Sequence, residues 1–283
     1  MSFIATANAI EELGAKPVFI DIESETGNMD VSLLERAMSK KTKAIIPVHL
    51  YGQMCDMKKI AHIAKRYRLV VIEDAAQSIN AEYKSKKSGS FGDLATFSFY
   101  ATKNITCGEG GIITTNNDSY AEDARLFRQH GRSKMTSYEY TDLGYNYRTT
   151  DINAVILLEQ LKRLDFITKK RIENAAYLNT SLKYTEGIKI PNFKNDQSHA
   201  FHQYTIVVED NFKLTRDELA EHLNKKGVSS AVYYPKPLHL LEHFRKLGYK
   251  EGDFPIAERL SRQVLSLPIH PHLTQEQLDT IAN

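Results

Sequence analysis

Leu69-Val70-Val71-Ile72-Glu73-Asp74-Ala75-Ala76-Gln77-Ser78 decides how this chain folds. Four consecutive apolar, mostly β-branched residues suit a strand covered on both faces, as in the interior of a parallel sheet. The polar residues behind them stand where an open α/β sheet binds its ligands, beyond the carboxyl end of a strand. Runs of similar character recur at Pro17–Ile22, Ala44–Val48, Ala95–Phe99 and Gly111–Thr115. Between them Val31–Met38 and Met57–Tyr67 carry apolar residues at helical spacing, the first preceded by Asp30 as an N-cap. This alternation predicts an α/β unit over residues 1–150, a mostly parallel sheet flanked by helices. Tyr120–His130 reads as a helix and Tyr138–Tyr147, without period, as a loop. One long helix is expected from Asp151 to about Leu182, within a connecting segment 151–185. Residues 186–283 predict a smaller C-terminal α+β unit, with strands at Tyr204–Val208 and Val228–Tyr234. Between these strands lies a helix over Thr215–Asn224, where Thr215 and Glu218 form a capping box.

Composition narrows the function classes. With 283 residues, 42% hydrophobic and 25% charged, the chain is globular, and surface scaling gives it roughly 12,000 Å² exposed when folded. A net charge of +2 gives no reason to expect nucleic acid. Cys55 and Cys107 are too few for a disulfide framework and form no CxxC pair. No apolar run approaches the roughly 18 residues of a membrane span. The opening residues have no basic n-region and soon meet Glu11 and Glu12, which argues against a signal peptide. A cytoplasmic location is expected. His199 with His202, and His270 with His272, lack a carboxylate or thiol at ligand spacing, so no metal is expected. Lys84, Lys86 and Lys87 read as a solvated basic loop.

The chemistry concentrates behind the strands. Past Val48 come His49, Leu50, Tyr51 and Gly52; past Phe99 come Tyr100, Ala101, Thr102, Lys103 and Asn104. A carboxylate, an amide, an amine and several hydroxyls therefore face one crevice. By local pattern alone Asp74 also reads as a helix cap, and Lys103 reads first as a solvated surface charge. Cys107-Gly108-Glu109-Gly110-Gly111 invites a dinucleotide reading, but its glycines lead into a strand where that fingerprint needs a helix. Gly89-Ser90-Phe91-Gly92 is not the nucleophile elbow of a hydrolase.

Taken together, Asp74-Ala75-Ala76-Gln77, Gly89-Ser90-Phe91-Gly92-Asp93, Ser98-Phe99-Tyr100-Ala101-Thr102-Lys103-Asn104 and Gly108-Glu109-Gly110-Gly111 closely resemble the DegT/DnrJ/EryC1/StrS family. These are sugar aminotransferases dependent on pyridoxal 5′-phosphate, with the aspartate-aminotransferase-like fold (fold type I). The likeness extends through Pro47–Gly52, Gly144–Arg148 and Leu267–Pro271, essentially the whole chain. It implies that Lys103 forms the imine with the cofactor aldehyde and shuttles the proton. Asp74 pairs with the pyridinium nitrogen and keeps it protonated. Ala76 lies beneath the ring, Gln77 binds the phenolic oxygen, and Ser98 binds the phosphate. Asn146 reaches the phosphate of a neighbouring subunit's cofactor, which implies a homodimer with shared sites. His49, Tyr100, Arg148 and His239 are implied on the substrate side, His239 within Tyr233–His239, a segment that resembles the family's sugar-nucleotide region. The aromatic cluster Tyr138, Tyr140, Tyr145 and Tyr147 reads equally as plain packing and, by the resemblance, as a loop that approaches the active site.

Family members also carry an upstream segment with a small-residue turn that grips the phosphate, and run slightly past Asn283. The chain resembles the family only after that segment, so the resemblance implies a fragment or a cofactor held by fewer contacts. The reaction implied is transfer of an amino group from an amino acid such as glutamate to a keto-sugar linked to a nucleoside diphosphate. Two alternatives remain: a dehydratase of the same fold, against which Lys103 stands because histidine replaces the lysine there, and a truncated, non-catalytic protein that binds sugar nucleotides or dimerises. Sugar, nucleotide and the aminated carbon stay unspecified.

Overall fold

The computed structural model describes residues 1–133, 138–193 and 196–283. In chain order its first half comprises α1 (Ala5–Glu12), α2 (Leu34–Ala37), β1 (Ala44–Ile45), α3 (Met57–Tyr67), β2 (Val70–Asp74), β3 (Glu82–Tyr83), β4 (Lys86–Lys87), β5 (Leu94–Ser98), β6 (Gly111–Thr114) and α4 (Asp118–Arg128). The second half comprises α5 (Asp151–Leu161), α6 (Leu164–Leu182), β7 (Ile188–Lys189), β8 (Gln197–Ser198), β9 (Tyr204–Val208), α7 (Arg216–Lys225), α8 (Glu242–Arg245), α9 (Pro255–Gln263), β10 (Val264–Leu267) and α10 (Gln275–Ala282).

The site-bearing sheet has the order β1-β2-β5-β6. β2 lies between two parallel neighbours, with Ala44 opposite Val70 on one side and Asp74 opposite Thr96 on the other. β6 runs antiparallel to β5, pairing Gly111 with Ser98, so the sheet is mixed at this edge. α3 forms where the sequence places it. The Asp56 carboxylate accepts from Lys59 N–H at its start, Met57, Ile60 and Ala64 face the core, and Arg68 in the left-handed region (φ 55°) stops it. These residues join Val31, Leu34, Ile45 and Val71 in one apolar cluster. A second cluster packs β9 and β10 against α6 and α10 through Leu178, Tyr204, Ile206, Leu265 and Leu278. α7 begins with the expected reciprocal Thr215–Glu218 capping box.

Four expectations are corrected. Pro17–Ile22 is not a strand; among the described residues its only sheet-like contact is the bridge from Ile22 to Met29. Among the described residues Val228–Tyr234 contributes only the bridge from Ala231 to Ser266, which sets it against fully buried β10 at a single residue pair. The long helix breaks at Lys162-Arg163, where a helix with no buried residue (α5) gives way to one that buries seven (α6). The surface is 16425 Å², a third above the scaling value, so large faces remain uncovered. Ile112 and Ile113 of β6, Phe127 of α4 and Ile152, Val155 and Leu158 of α5 are all exposed. Among the described residues no helix is long and apolar enough to cross a membrane.

Candidate active site

The crevice opens where β2 and β5 end side by side. Asp74, the last residue of β2, is half-buried and held from two directions. The Thr6 hydroxyl donates to Oδ2 at 2.6 Å and Ala76 N–H to Oδ1 at 3.1 Å. Neither partner is a cation. Gln77 is buried and fixed at both ends: its Oε1 accepts from Tyr51 N–H at 2.7 Å and its Nε2 donates to the Tyr234 hydroxyl at 3.2 Å. The Tyr51 hydroxyl in turn donates to the Tyr233 carbonyl. Ser98 ends β5, its Oγ accepting from Tyr100 N–H at 3.3 Å. A turn closed by Lys103 N–H to the Tyr100 carbonyl, 2.9 Å, then presents Lys103. Burial lowers the Lys103 amine below the ordinary lysine range, while the negative charge of Asp74 opposes that shift.

The structure thus brings Asp74, Ala76, Gln77, Ser98 and Lys103 to adjoining strand ends, and half-exposed Tyr100 to the rim. Asn146 and Arg148 lie elsewhere, on an exposed segment bridged to Gln129; the Arg148 guanidinium donates to Gln129 Oε1 at 3.0 Å. Two substrate-side expectations are corrected. His49 is fully buried, with Nε2 2.9 Å from Glu73 Oε2 and Nδ1 accepting from Cys55 N–H. That leaves neither nitrogen for a ligand. His239 is buried too, with Nε2 2.8 Å from Glu258 Oε1. Both are inside because each meets a buried carboxylate distant in sequence.

Sequence reasoning missed Thr6, whose bond to Asp74 spans 68 positions and has no local signature. It also missed the buried loop His199–Gln203 behind the Lys103 turn. Asn104 Nδ2 donates to the Ala200 carbonyl at 2.9 Å, so its Oδ1 accepts from His202 Nδ1 at 3.3 Å, and Gly52 packs against the same loop. Among the described residues no cluster of His, Cys, Asp and Glu could hold a metal ion.

The open α/β sheet with a half-buried lysine and a carboxylate at neighbouring strand ends has the fold type I aminotransferase architecture of solved structures that it matches with TM-scores of 0.91 and 0.94. The match is specific: residues 1–283 fit the DegT/DnrJ/EryC1/StrS aminotransferase family throughout, and the chain belongs to it. It is 48% identical to the pleiotropic regulatory protein of Geobacillus stearothermophilus, over 98% of this chain and 73% of the relative. It is 37% identical to the UDP-N-acetyl-3-dehydro-alpha-D-glucosamine 3-aminotransferase of Acidithiobacillus ferrooxidans, over 99% of this chain and 74% of that one. Among solved structures, Streptomyces venezuelae DesV in complex with a ketimine intermediate superposes with a TM-score of 0.94 at 35% identity, covering 99% of this chain and 74% of that one. Members of the family bind pyridoxal 5′-phosphate or its amino form.

Proposed function

We propose that this protein transfers an amino group from an amino acid, glutamate being the expected donor, to a keto-sugar carried on a nucleoside diphosphate. The observation that carries the reading is the Asp74–Lys103 pair. Among the described residues the Lys103 amine makes no hydrogen bond or ion pair, and the Asp74 carboxylate makes no ion pair, although its charge acts on the Lys103 amine. A half-buried amine and a half-buried carboxylate left open toward one crevice suit a flat group with an aldehyde at one end and a protonatable nitrogen at the other. Pyridoxal 5′-phosphate, when bound, supplies the electron sink. Asp74 would hold the proton on the ring nitrogen, and Thr6 and Ala76 N–H fix the carboxylate's orientation for that task. Lys103 would be the reacting amine and, once released, the base that carries a proton to and from substrate carbon. Ala76 leaves room for the ring, the remaining Nε2 proton of Gln77 suits the phenolic oxygen, and the Ser98 hydroxyl suits the phosphate. Tyr100 and Arg148 remain the substrate-side residues; His49 and His239 position their neighbours.

The keto-sugar acceptor is supported by the name of the Acidithiobacillus relative, which specifies amination of a UDP-linked dehydro-sugar. The exposed apolar residues of β6, α4 and α5 support a homodimer, in which Asn146 of a second copy would reach the cofactor phosphate. Buried, unbridged Cys55 and Cys107 suit a reducing cytoplasm. The test is to mix the protein with pyridoxal 5′-phosphate, glutamate and a panel of nucleotide keto-sugars, and to weigh the products. An aminated sugar, with a visible cofactor band that glutamate bleaches and the keto-sugar restores, is expected. A deoxygenated product would establish the dehydratase instead. Neither band nor turnover would leave a binding protein.

A further inference from the structure

The turn that presents Lys103 is tied to the rest of the molecule by the next residue. Asn104 is buried, and both ends of its amide are used: Nδ2 donates to the Ala200 carbonyl at 2.9 Å, and Oδ1 accepts from His202 Nδ1 at 3.3 Å. Among the described residues these two hydrogen bonds are what joins Tyr100–Thr106 to a distant part of the chain. The loop they reach is itself held from three sides. Ala200 N–H donates to the Gly52 carbonyl at 2.9 Å, Gln203 N–H to the Tyr51 carbonyl at 3.1 Å, and the Arg171 guanidinium of α6 to the Phe201 carbonyl at 2.8 Å. Phe201 sits at φ +44°, a conformation that persists in an L residue only where its surroundings over-determine it. His202 is buried, and burial together with the charges of Lys103 and Arg171 holds its pKa well below the ordinary range. The imidazole is therefore neutral, and its one N–H, on Nδ1, is committed to Asn104.

We infer that Asn104 and His202 are positioning residues for the Lys103 amine: the fixed loop His199–Gln203 grips one buried amide, and that grip holds the lysine half-buried at the crevice. The catalytic meaning rests on Lys103 being the reacting amine, but the positioning itself needs neither cofactor nor turnover to be tested. Ile105 also anchors the turn, packing in an apolar cluster with Ile167 of α6. Apolar contact is non-directional, however, so it fixes depth and not orientation. A planar amide with a donor and an acceptor both engaged fixes the two together. Neutrality of His202 matters for the same reason. It keeps a second cation away from Lys103 and leaves the Nδ1–H bond in place across the range in which the amine titrates.

The test reads the pH midpoint of Lys103 modification by an amine reagent, with exposed lysines of the same protein as internal standards. His202→Leu and Asn104→Leu each break the grip without changing any charge. Burial lowers the Lys103 pKa, so a freed, more exposed amine should titrate higher, by about 0.5 pH unit or more. His202→Asn places an amide N–H where Nδ1 stands and should keep the wild-type midpoint. The double Leu variant should shift no further than either single one, because both remove the same bond. Hydrogen exchange on the wild type covers the case in which a Leu variant does not fold: the amides of Lys103, Ala200 and Gln203 should share one opening equilibrium. Folded Leu variants whose midpoint stays or falls overturn the inference. A His202→Asn shift as large as that of His202→Leu overturns it in favour of imidazole packing, and additive shifts in the double variant overturn the shared bond. A Lys103 amide that opens independently of Ala200 and Gln203 overturns it as well. Absent transamination with the expected midpoints would strike the proposed reaction and leave the positioning intact.

Discussion

Glu73 offers the sharpest test of how the crevice is held in place. Its side chain is fully buried, and its carboxylate receives four hydrogen bonds. Oε2 accepts from His49 Nε2 at 2.9 Å and Gly89 N–H at 2.9 Å; Oε1 accepts from Phe91 N–H at 2.7 Å and Gly92 N–H at 2.6 Å. Burial alone would raise its pKa, but the His49 bond and charge and the Gly92 and Gly89 amides outweigh it, so the pKa falls below the ordinary value. Glu73→Gln keeps the shape and places an NH₂ group against at least two donors. If that group faces Phe91 and Gly92, both amides lose their acceptor. If it faces His49, the imidazole must move its proton to Nδ1 and then confronts Cys55 N–H, while Gly89 N–H is left alone. Two charge-assisted bonds at about 1.5–3 kcal/mol each give a loss of about 3–6 kcal/mol, a large share of the roughly 5–15 kcal/mol that holds a domain together. Urea denaturation read by circular dichroism measures it. For wild type the linkage sign follows from the depressed pKa: this stabilisation is complete above the unfolded value of about 4.3 and is lost as pH falls through the folded value. The variant should lose that acid limb. A Glu73→Gln protein within about 1 kcal/mol of wild type, with an unchanged acid limb, would refute the reasoning.

Three further outcomes can be measured. Gly52→Ala forces a side chain onto a backbone with φ of +107° and brings Cβ to 2.9 Å from the amides of Phe201 and His202; a loss of at least about 2 kcal/mol in urea is expected. Thr6→Val removes the hydroxyl on Asp74 at nearly constant volume, so affinity for pyridoxal 5′-phosphate, titrated by fluorescence, should drop about tenfold while the fold persists. Modification of Lys103 by an amine reagent, mapped by mass spectrometry against pH, should reach half its maximal rate at lower pH than at exposed lysines. Asp74→Asn should move that midpoint lower still, since the Asp74 charge opposes the burial effect.

What the sequence made legible was local. α3 spans the same Met57–Tyr67 that its apolar spacing marks out, β9 the same Tyr204–Val208, and the Thr215 capping box announces α7. Periodicity and caps act within a few residues, so they can be read without knowing the fold. Partner choice cannot. Pro17–Ile22 has strand composition but, among the described residues, no strand to pair with, and Val228–Tyr234 meets β10 at one residue pair only, while β10 follows α9 without a break and so carried no separate signal. The motif residues of the crevice were legible as a set because they stand directly behind strands. The inward course of His49 was not, because its partner Glu73 lies 24 positions away on a different strand.

The adjacency of Glu73 and Asp74 joins these points. Consecutive strand residues face opposite sides of a sheet, so one register of β2 sends Glu73 into the interior and Asp74 into the crevice. Glu73 gathers the Gly89–Gly92 turn that leads into β5, and β5 carries Ser98 and the turn bearing Lys103. One carboxylate therefore sets where the lysine stands, and its neighbour sets what the lysine faces. These roles separate experimentally. Asp74→Asn should leave the urea midpoint within about 1 kcal/mol of wild type and shift the Lys103 reactivity profile. Glu73→Gln should move the midpoint strongly while any protein still folded keeps the Asp74 effect on Lys103. If either variant moved both readouts by comparable amounts, the two faces of β2 would not be independent, and anchoring and chemistry could not be assigned to separate residues.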